Sequence, residues 1–157
     1  TWAASGLVNN QLLSKLLSEP FITAQPPKST GRDLFNPAWL DQQLKGFETL
    51  APIDVQTTLT EFTAQACANN VSQHAKLCQT LIVCGGGALN GHLMRRLQAA
   101  LPGLKVCRSD TFGLPPLQVE AAAFAWLARK MLRRETASFT NGTGAQGPRI
   151  LGALYPA

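Results

Sequence analysis

A chain of 157 residues with 45% apolar side chains and a formal charge of +5 fits one packed domain or a large piece of a two-domain protein. No apolar run approaches the ~18 residues of a membrane span, and Thr1–Gly6 carries no secretory signal. The basic residues are dispersed, with small groups at Arg95 and Arg96 and from Arg129 to Arg134, and no aromatic interleaving or known module makes them a nucleic-acid surface.

Leucines at 12, 13, 16 and 17 follow helical spacing, which predicts a helix over 7–17 ended by Pro20. A polar loop with prolines and a glycine follows from Gln25 to Asp33. Asn36 and Pro37 are a cap and a first-turn proline, so a short helix starts there with Trp39, Leu40, Leu44 and Phe47 on its apolar side. Pro52 opens the longest helix, which runs to about Gln73 with Val55, Leu59, Phe62 and Ala66 on one face. Asp54 and Glu61 on that helix read as surface charges, as does the Arg95–Arg96 group further on.

The most informative stretch is Thr80-Leu-Ile-Val-Cys-Gly-Gly-Gly-Ala-Leu-Asn90. A buried strand at 81–84 stops at three glycines, and a helix begins at once. Asn90 caps that helix, which spans about 91–100 with Leu93, Met94 and Leu97 inward. A second strand at 104–108 follows, so the unit is β–turn–α–β with parallel strands and a right-handed crossover. A loop over 111–116 leads to a helix whose stripe is Val119, Ala122, Ala123, Trp126, Leu127 and Met131. Its alanines predict close packing against another element. Beyond Thr136, Asn141-Gly142, Gly144 and Gly147-Pro148 are turn signals. The fold class is therefore α/β, rich in helices, with a short parallel sheet.

A glycine turn between a strand and a helix lets backbone approach a ligand, and the helix N-terminus favours an anion. Gly85, Gly86, Gly87 and Asn90 are thus candidate nucleotide-phosphate contacts. A dinucleotide site is a rival, with Asp110 as the ribose acid, although Asn90 stands where the third glycine of the fingerprint belongs. A tight turn with no ligand is the plain alternative. Lys28, Ser29, Thr30 and Arg32 offer donors beside Gly31, but without the leading glycines or preceding strand of a Walker motif. They are either a solvated loop or an anion or sugar contact. Glu120, in the first turn of the last helix, is either a dipole-favoured cap or an acceptor for sugar hydroxyls. Cys67, Cys78, Cys84 and Cys107 form no CxxC pair, and Cys84 and Cys107 read as small packed hydrophobes. With His74 and His92 isolated, no metal site is expected, and the thiols fit a reduced cytosolic protein.

Five segments in order carry a resemblance: Pro26-Pro-Lys-Ser-Thr-Gly-Arg-Asp-Leu-Phe-Asn36, Asp54-Val-Gln-Thr-Thr-Leu-Thr60, Val83-Cys-Gly-Gly-Gly-Ala-Leu-Asn90, Glu120-Ala-Ala-Ala-Phe-Ala-Trp-Leu-Ala128 and Leu151-Gly-Ala-Leu-Tyr-Pro156. Together they resemble the C-terminal half of anhydro-N-acetylmuramic acid kinases, over nearly the whole chain. The resemblance implies the C-terminal lobe of an actin-like (ribonuclease H-like) ATPase fold, 1–157 as a single lobe, with its N-terminal lobe as partner. It implies ATP with Mg2+, and phosphorylation with hydrolytic opening of 1,6-anhydro-N-acetylmuramic acid in cytoplasmic peptidoglycan recycling. A homodimer is a further implied partner.

On this reading Gly85–Gly87 face the nucleotide, Glu120 faces the sugar and the Lys28–Arg32 loop lies near the cleft. The phosphate loop, the general base and the metal site belong to the N-terminal half, which no residue here matches. The chain alone is expected to be inactive. It also departs from the family at Pro115-Pro116-Leu117, where an acidic residue usually precedes the helix. Two rivals are carried: a non-catalytic nucleotide-binding domain descended from such a kinase, and a dinucleotide-dependent oxidoreductase domain.

Overall fold

The computed structural model describes residues 2–138 and 143–155. Up to His74 every element is helical. Helix α1 (Asn10–Leu17) is capped by Asn9, whose side chain accepts from the Leu12 N–H at 2.8 Å. It starts three residues later than its leucine pattern predicts, because the residues before it are tied to the longest helix, α4 (Pro52–His74). The Leu7 N–H donates to Asp54 at 2.7 Å, and the Asn9 N–H donates to the Thr58 hydroxyl at 2.9 Å. Gly6 lets this happen: a Cβ there would sit 2.5 Å from the Thr57 hydroxyl and 2.6 Å from the Ile53 carbonyl oxygen.

Pro20 does not simply follow a helix but opens another, the four-residue α2 (Pro20–Thr23). Helix α3 (Pro37–Leu44) begins as its local chemistry predicts, with Asn36 accepting from the Trp39 N–H at 2.9 Å. Its C-terminal end is closed from outside: the Lys15 ammonium of α1 donates to the Gln43 and Lys45 carbonyls at 2.7 and 3.0 Å. A cation at that pole also suits the helix dipole.

These helices enclose the main core. Leu12, Leu13, Leu16 and Phe62 are buried, with Ile22, Phe35, Trp39 and Leu59 among the side chains packed on them. The Phe35 and Trp39 rings meet edge to face at 5.0 Å.

Strands β1 (Thr80–Val83) and β2 (Lys105–Arg108) pair in parallel, in register from Thr80 opposite Lys105 to Val83 opposite Arg108. Helix α5 (Gly91–Ala100) connects them and packs along α4. Gln98 fastens its far end: its amide donates to the Leu101 and Leu104 carbonyls and accepts from the Val106 N–H of β2. Two single-turn 3-10 segments, Ser109–Phe112 and Pro116–Gln118, then lead into α6 (Val119–Leu132).

Three expectations need correction here. The stripe of α6 is not closely packed: Val119, Leu127 and Met131 are only half-buried, Ala122 and Ala123 are exposed, and Trp126 is 41% exposed. Cys84 is not a packed hydrophobe but an exposed thiol just past the end of β1, while Cys107 is half-buried. Glu61 is not a surface charge: only 4% of it is exposed, and its partner is Arg96. In the tail, Ala137 and Arg149 form an antiparallel bridge, and Gly144 and Gly147 have positive φ as their turn signals predict. Asn141-Gly142 and Pro156 lie outside the described residues.

Candidate functional site

The glycine turn is built from a backbone that only its first residue forces. Gly85 has φ 75° and ψ −174°, a region closed to residues with a Cβ. Its N–H donates to the Pro116 carbonyl at 2.9 Å. From there Gly86–Leu89 make one turn of 3-10 helix, closed by Ala88 N–H to Gly85 C=O at 3.2 Å and Asn90 N–H to Gly87 C=O at 3.0 Å. A helix does not start at once, as the sequence predicts; a 3-10 turn comes between strand and α5. By the geometry of any helix start, the Gly86 and Gly87 N–H groups have no acceptor within that turn.

Gly86 and Gly87 need no glycine for their own sake. Neither has a positive φ. A Cβ built on Gly86 would meet nothing within 4 Å, and one on Gly87 would make only an ordinary contact, 3.5 Å from Leu93. The space next to Gly86 is open. A side chain there would occupy room that a ligand brought against the backbone could use.

Asn90 is less available than the sequence suggests. Its side-chain oxygen accepts from the His92 and Leu93 N–H groups at 3.1 and 3.2 Å. Two of the free donors of the α5 N-terminus are therefore already satisfied, and the anion-attracting part of the site shifts to Gly86 and Gly87. The role left to Asn90 is to cap α5 at the turn.

Beside the turn lies an open cavity of ≈ 490 Å³, walled by Leu89, Gly91 and Met94 on one side and by Cys107, Arg108 and Asp110 on the other. It lies between the start of α5 and the second half of β2, with no residue of β1 in its wall. Asp110, the ribose acid of the dinucleotide rival, is paired with Arg108. That guanidinium holds its carboxyl below the ordinary carboxylate range.

Glu120 is exposed in the first turn of α6. The bond from Gly85 to Pro116 joins the glycine turn to the 3-10 segment that delivers α6, so two motifs 35 positions apart in the chain are stitched at one point. No side-chain oxygen caps α6, so capping does not account for Glu120 beyond its favourable place in the dipole.

The Lys28–Arg32 loop lies on the helical half instead. The Lys28 ammonium donates to the Phe21 and Ile22 carbonyls at 3.0 and 2.8 Å and rests over the Phe21 ring. It thus closes the end of α2 and one wall of an apolar cavity of ≈ 530 Å³ lined by Phe35, Trp39 and Phe62. No residue of the glycine turn lines that cavity. Ser29 and Arg32 are exposed and Thr30 is half-buried.

The Glu61–Arg96 pair escapes any reading of the sequence. Arg96 of α5 donates to both carboxylate oxygens of Glu61, at 2.5 and 2.9 Å, and Gln65 donates to one of them at 2.8 Å. The guanidinium holds the Glu61 carboxyl below its usual range, against the opposing push of burial. The sequence held one faint signal: Thr57, Thr58 and Thr60 beside Glu61 mark a helix face that bonds back to its own carbonyls.

Among the described residues, no three His, Cys, Asp or Glu side chains converge as metal ligands. No helix there is long and apolar enough to cross a membrane.

The family described as anhydro-N-acetylmuramic acid kinase matches residues 1–157. A protein of that name from Albidiferax ferrireducens is 61% identical over 156 residues, covering 99% of this chain and 40% of its own length. Relatives from Variovorax paradoxus and Ralstonia nicotianae, named alike, are 60% and 56% identical; each match covers 99% of this chain, and 42% and 41% of the relative. The chain thus spans about two fifths of the length of these relatives.

Proposed function

The chain belongs to the anhydro-N-acetylmuramic acid kinase family, and from that premise we propose that it is the C-terminal lobe of an actin-like sugar kinase acting on 1,6-anhydro-N-acetylmuramic acid. The whole protein would transfer the γ-phosphoryl group of ATP to the sugar while water opens the anhydro bridge. The products would be N-acetylmuramic acid 6-phosphate and ADP, made in the cytoplasm during peptidoglycan recycling.

One observation carries the nucleotide part of this reading: the unfilled space over Gly86, next to backbone donors that the turn itself does not use. Phosphoryl transfer depends mainly on positioning and charge stabilisation. The task of this lobe is therefore to hold the nucleotide. Gly86 and Gly87 let the backbone close on it, and Asn90 fixes the head of α5. Glu120 would accept from a sugar hydroxyl and orient it. The general base and the Mg2+ ligands would come from the N-terminal lobe, so this chain alone would be inactive.

The test is a product assay on a full-length protein containing this chain, with MgATP and 1,6-anhydro-N-acetylmuramic acid. A ring-opened, phosphorylated sugar is expected. Gly86→Val should weaken ATP use, and Glu120→Ala should impair sugar use more than ATP binding. A folded, ATP-binding protein that gives no product would refute the kinase reading and favour a non-catalytic nucleotide-binding domain.

A further inference from the structure

Helix α5 carries the glycine turn at its head, and α5 is anchored to the helical core through α4. Leu97 of α5 is buried. Its neighbour Arg96 reaches Glu61 with a two-pronged grip. Gln65 of the same helix as Glu61 also donates to its carboxylate, at 2.8 Å.

Glu61 is buried but the Arg96 side chain is 41% exposed, and such a pair is a poor source of stability, because solvent screens the cation while burial penalises the carboxylate. Direction is what it adds. A guanidinium fork on a carboxylate fixes both the distance and the rotation between the two groups. Arg96 lies six residues beyond Asn90, roughly 9 Å along the axis. A slip or rotation of α5 at that point would carry the glycine turn with it. The other side of the turn gives little resistance: β1 pairs with a single strand, and Ile82 is 48% exposed.

We propose that Glu61 and Arg96 are positioning residues for the nucleotide turn: they set the register of α5 on α4 and thereby hold the Gly85–Gly87 backbone where it meets the nucleotide. The inference rests on the nucleotide reading of that turn. Neither side chain touches the ligand; both act through α5.

The experiment uses the full-length protein and three variants: Arg96→Lys, which keeps the charge but loses the fork; the apolar double variant Glu61→Leu with Arg96→Met; and Gly86→Val. The apolar double is expected to fold, because it leaves no unpaired charge at the buried Glu61 position. In Arg96→Lys and in the double variant, KM for ATP should rise about tenfold, as a misplaced binding group predicts. KM for the sugar should stay within about twofold. If the double variant recovers both thermal stability and the parent KM for ATP, the pair is merely structural and the proposal is overturned. An unchanged KM for ATP in Arg96→Lys overturns it as well. Gly86→Val separates the two levels. Impaired ATP use there, with normal ATP use in the clamp variants, removes only the clamp. Normal ATP use in Gly86→Val removes the nucleotide reading and the clamp with it.

Discussion

Residues up to His74 pack most of their large apolar side chains against one another, whereas about half of those described from Thr80 onward are exposed. In the first region Leu12 and Leu16 are fully enclosed and Phe62 nearly so. In the second, Phe112, Leu117, Phe124, Leu132 and Tyr155 are all more than half exposed, and the sheet has two strands. Two strands are too few to make a stable unit without other packing. The helical half holds the main enclosed core, and the sheet half buries fewer side chains, among them Ala88, Leu97 and Leu101. The candidate nucleotide turn precedes α5, the helix of the sheet half that packs on α4.

The contrast can be broken most forcefully from inside the core. Leu16→Ala should cost about 3 kcal/mol, the range for a fully enclosed leucine. Urea unfolding followed by circular dichroism would measure it. A loss below ~1 kcal/mol would mean that the helical half is looser than its packing implies.

The glycine turn offers a sharper comparison over a single residue step. Gly85→Ala should cost about 1–3 kcal/mol, because its backbone lies in a region essentially restricted to glycine. Gly86→Ala should leave the unfolding midpoint almost unchanged, since the added Cβ meets nothing. If both variants destabilise alike, Gly86 serves the fold and its open space is not kept for a ligand.

An acid titration probes the contact of α5 on α4. Arg96 holds the Glu61 carboxyl below its ordinary value of 4.5. A depressed folded-state pKa gives stability that is fully present above that value and is lost as the pH falls through the lower folded value. The melting temperature of the parent should therefore drop more steeply below about pH 4.5 than that of Glu61→Gln, by this linkage. Parallel curves for the two would show that the pair adds nothing to the joint between α4 and α5.

How legible this arrangement was depended on the range of the forces involved. Local chemistry could be read directly: Asn36 and Asn90 cap helices because a side-chain oxygen needs to reach only two or three residues ahead. Helical periodicity found the core face of α4 at Leu59, Phe62 and Ala66. Burial that depends on a distant element could not be read. Glu61 resembles a solvated helix charge until α5 lies across it, 35 residues later. Cys84 resembles a core thiol because its run is apolar, but β1 ends one residue before it. The candidate site was legible as glycines, while the open space over Gly86 became visible only in the structure.

The α6 stripe is the remaining case, and it yields the smallest effect expected for this chain. Its period was read correctly as a helix, but periodicity identifies a face without naming what covers it. Phe124, which lies on α6 outside that stripe, is 64% exposed, so Phe124→Ser should change the unfolding free energy of this chain by ~0.5 kcal/mol or less, as for surface substitutions in general. In a full-length protein containing this chain, the same substitution should cost more if the rest of the protein covers α6, because a buried aromatic carries about 3 kcal/mol or more on truncation. Unfolding curves for both lengths measure the difference. Equal and negligible costs would mean that α6 remains bare in the whole protein, so the open surface of the sheet half would not be a lobe interface. A large cost in the short chain would mean instead that α6 is already packed, and the contrast between the two halves would disappear.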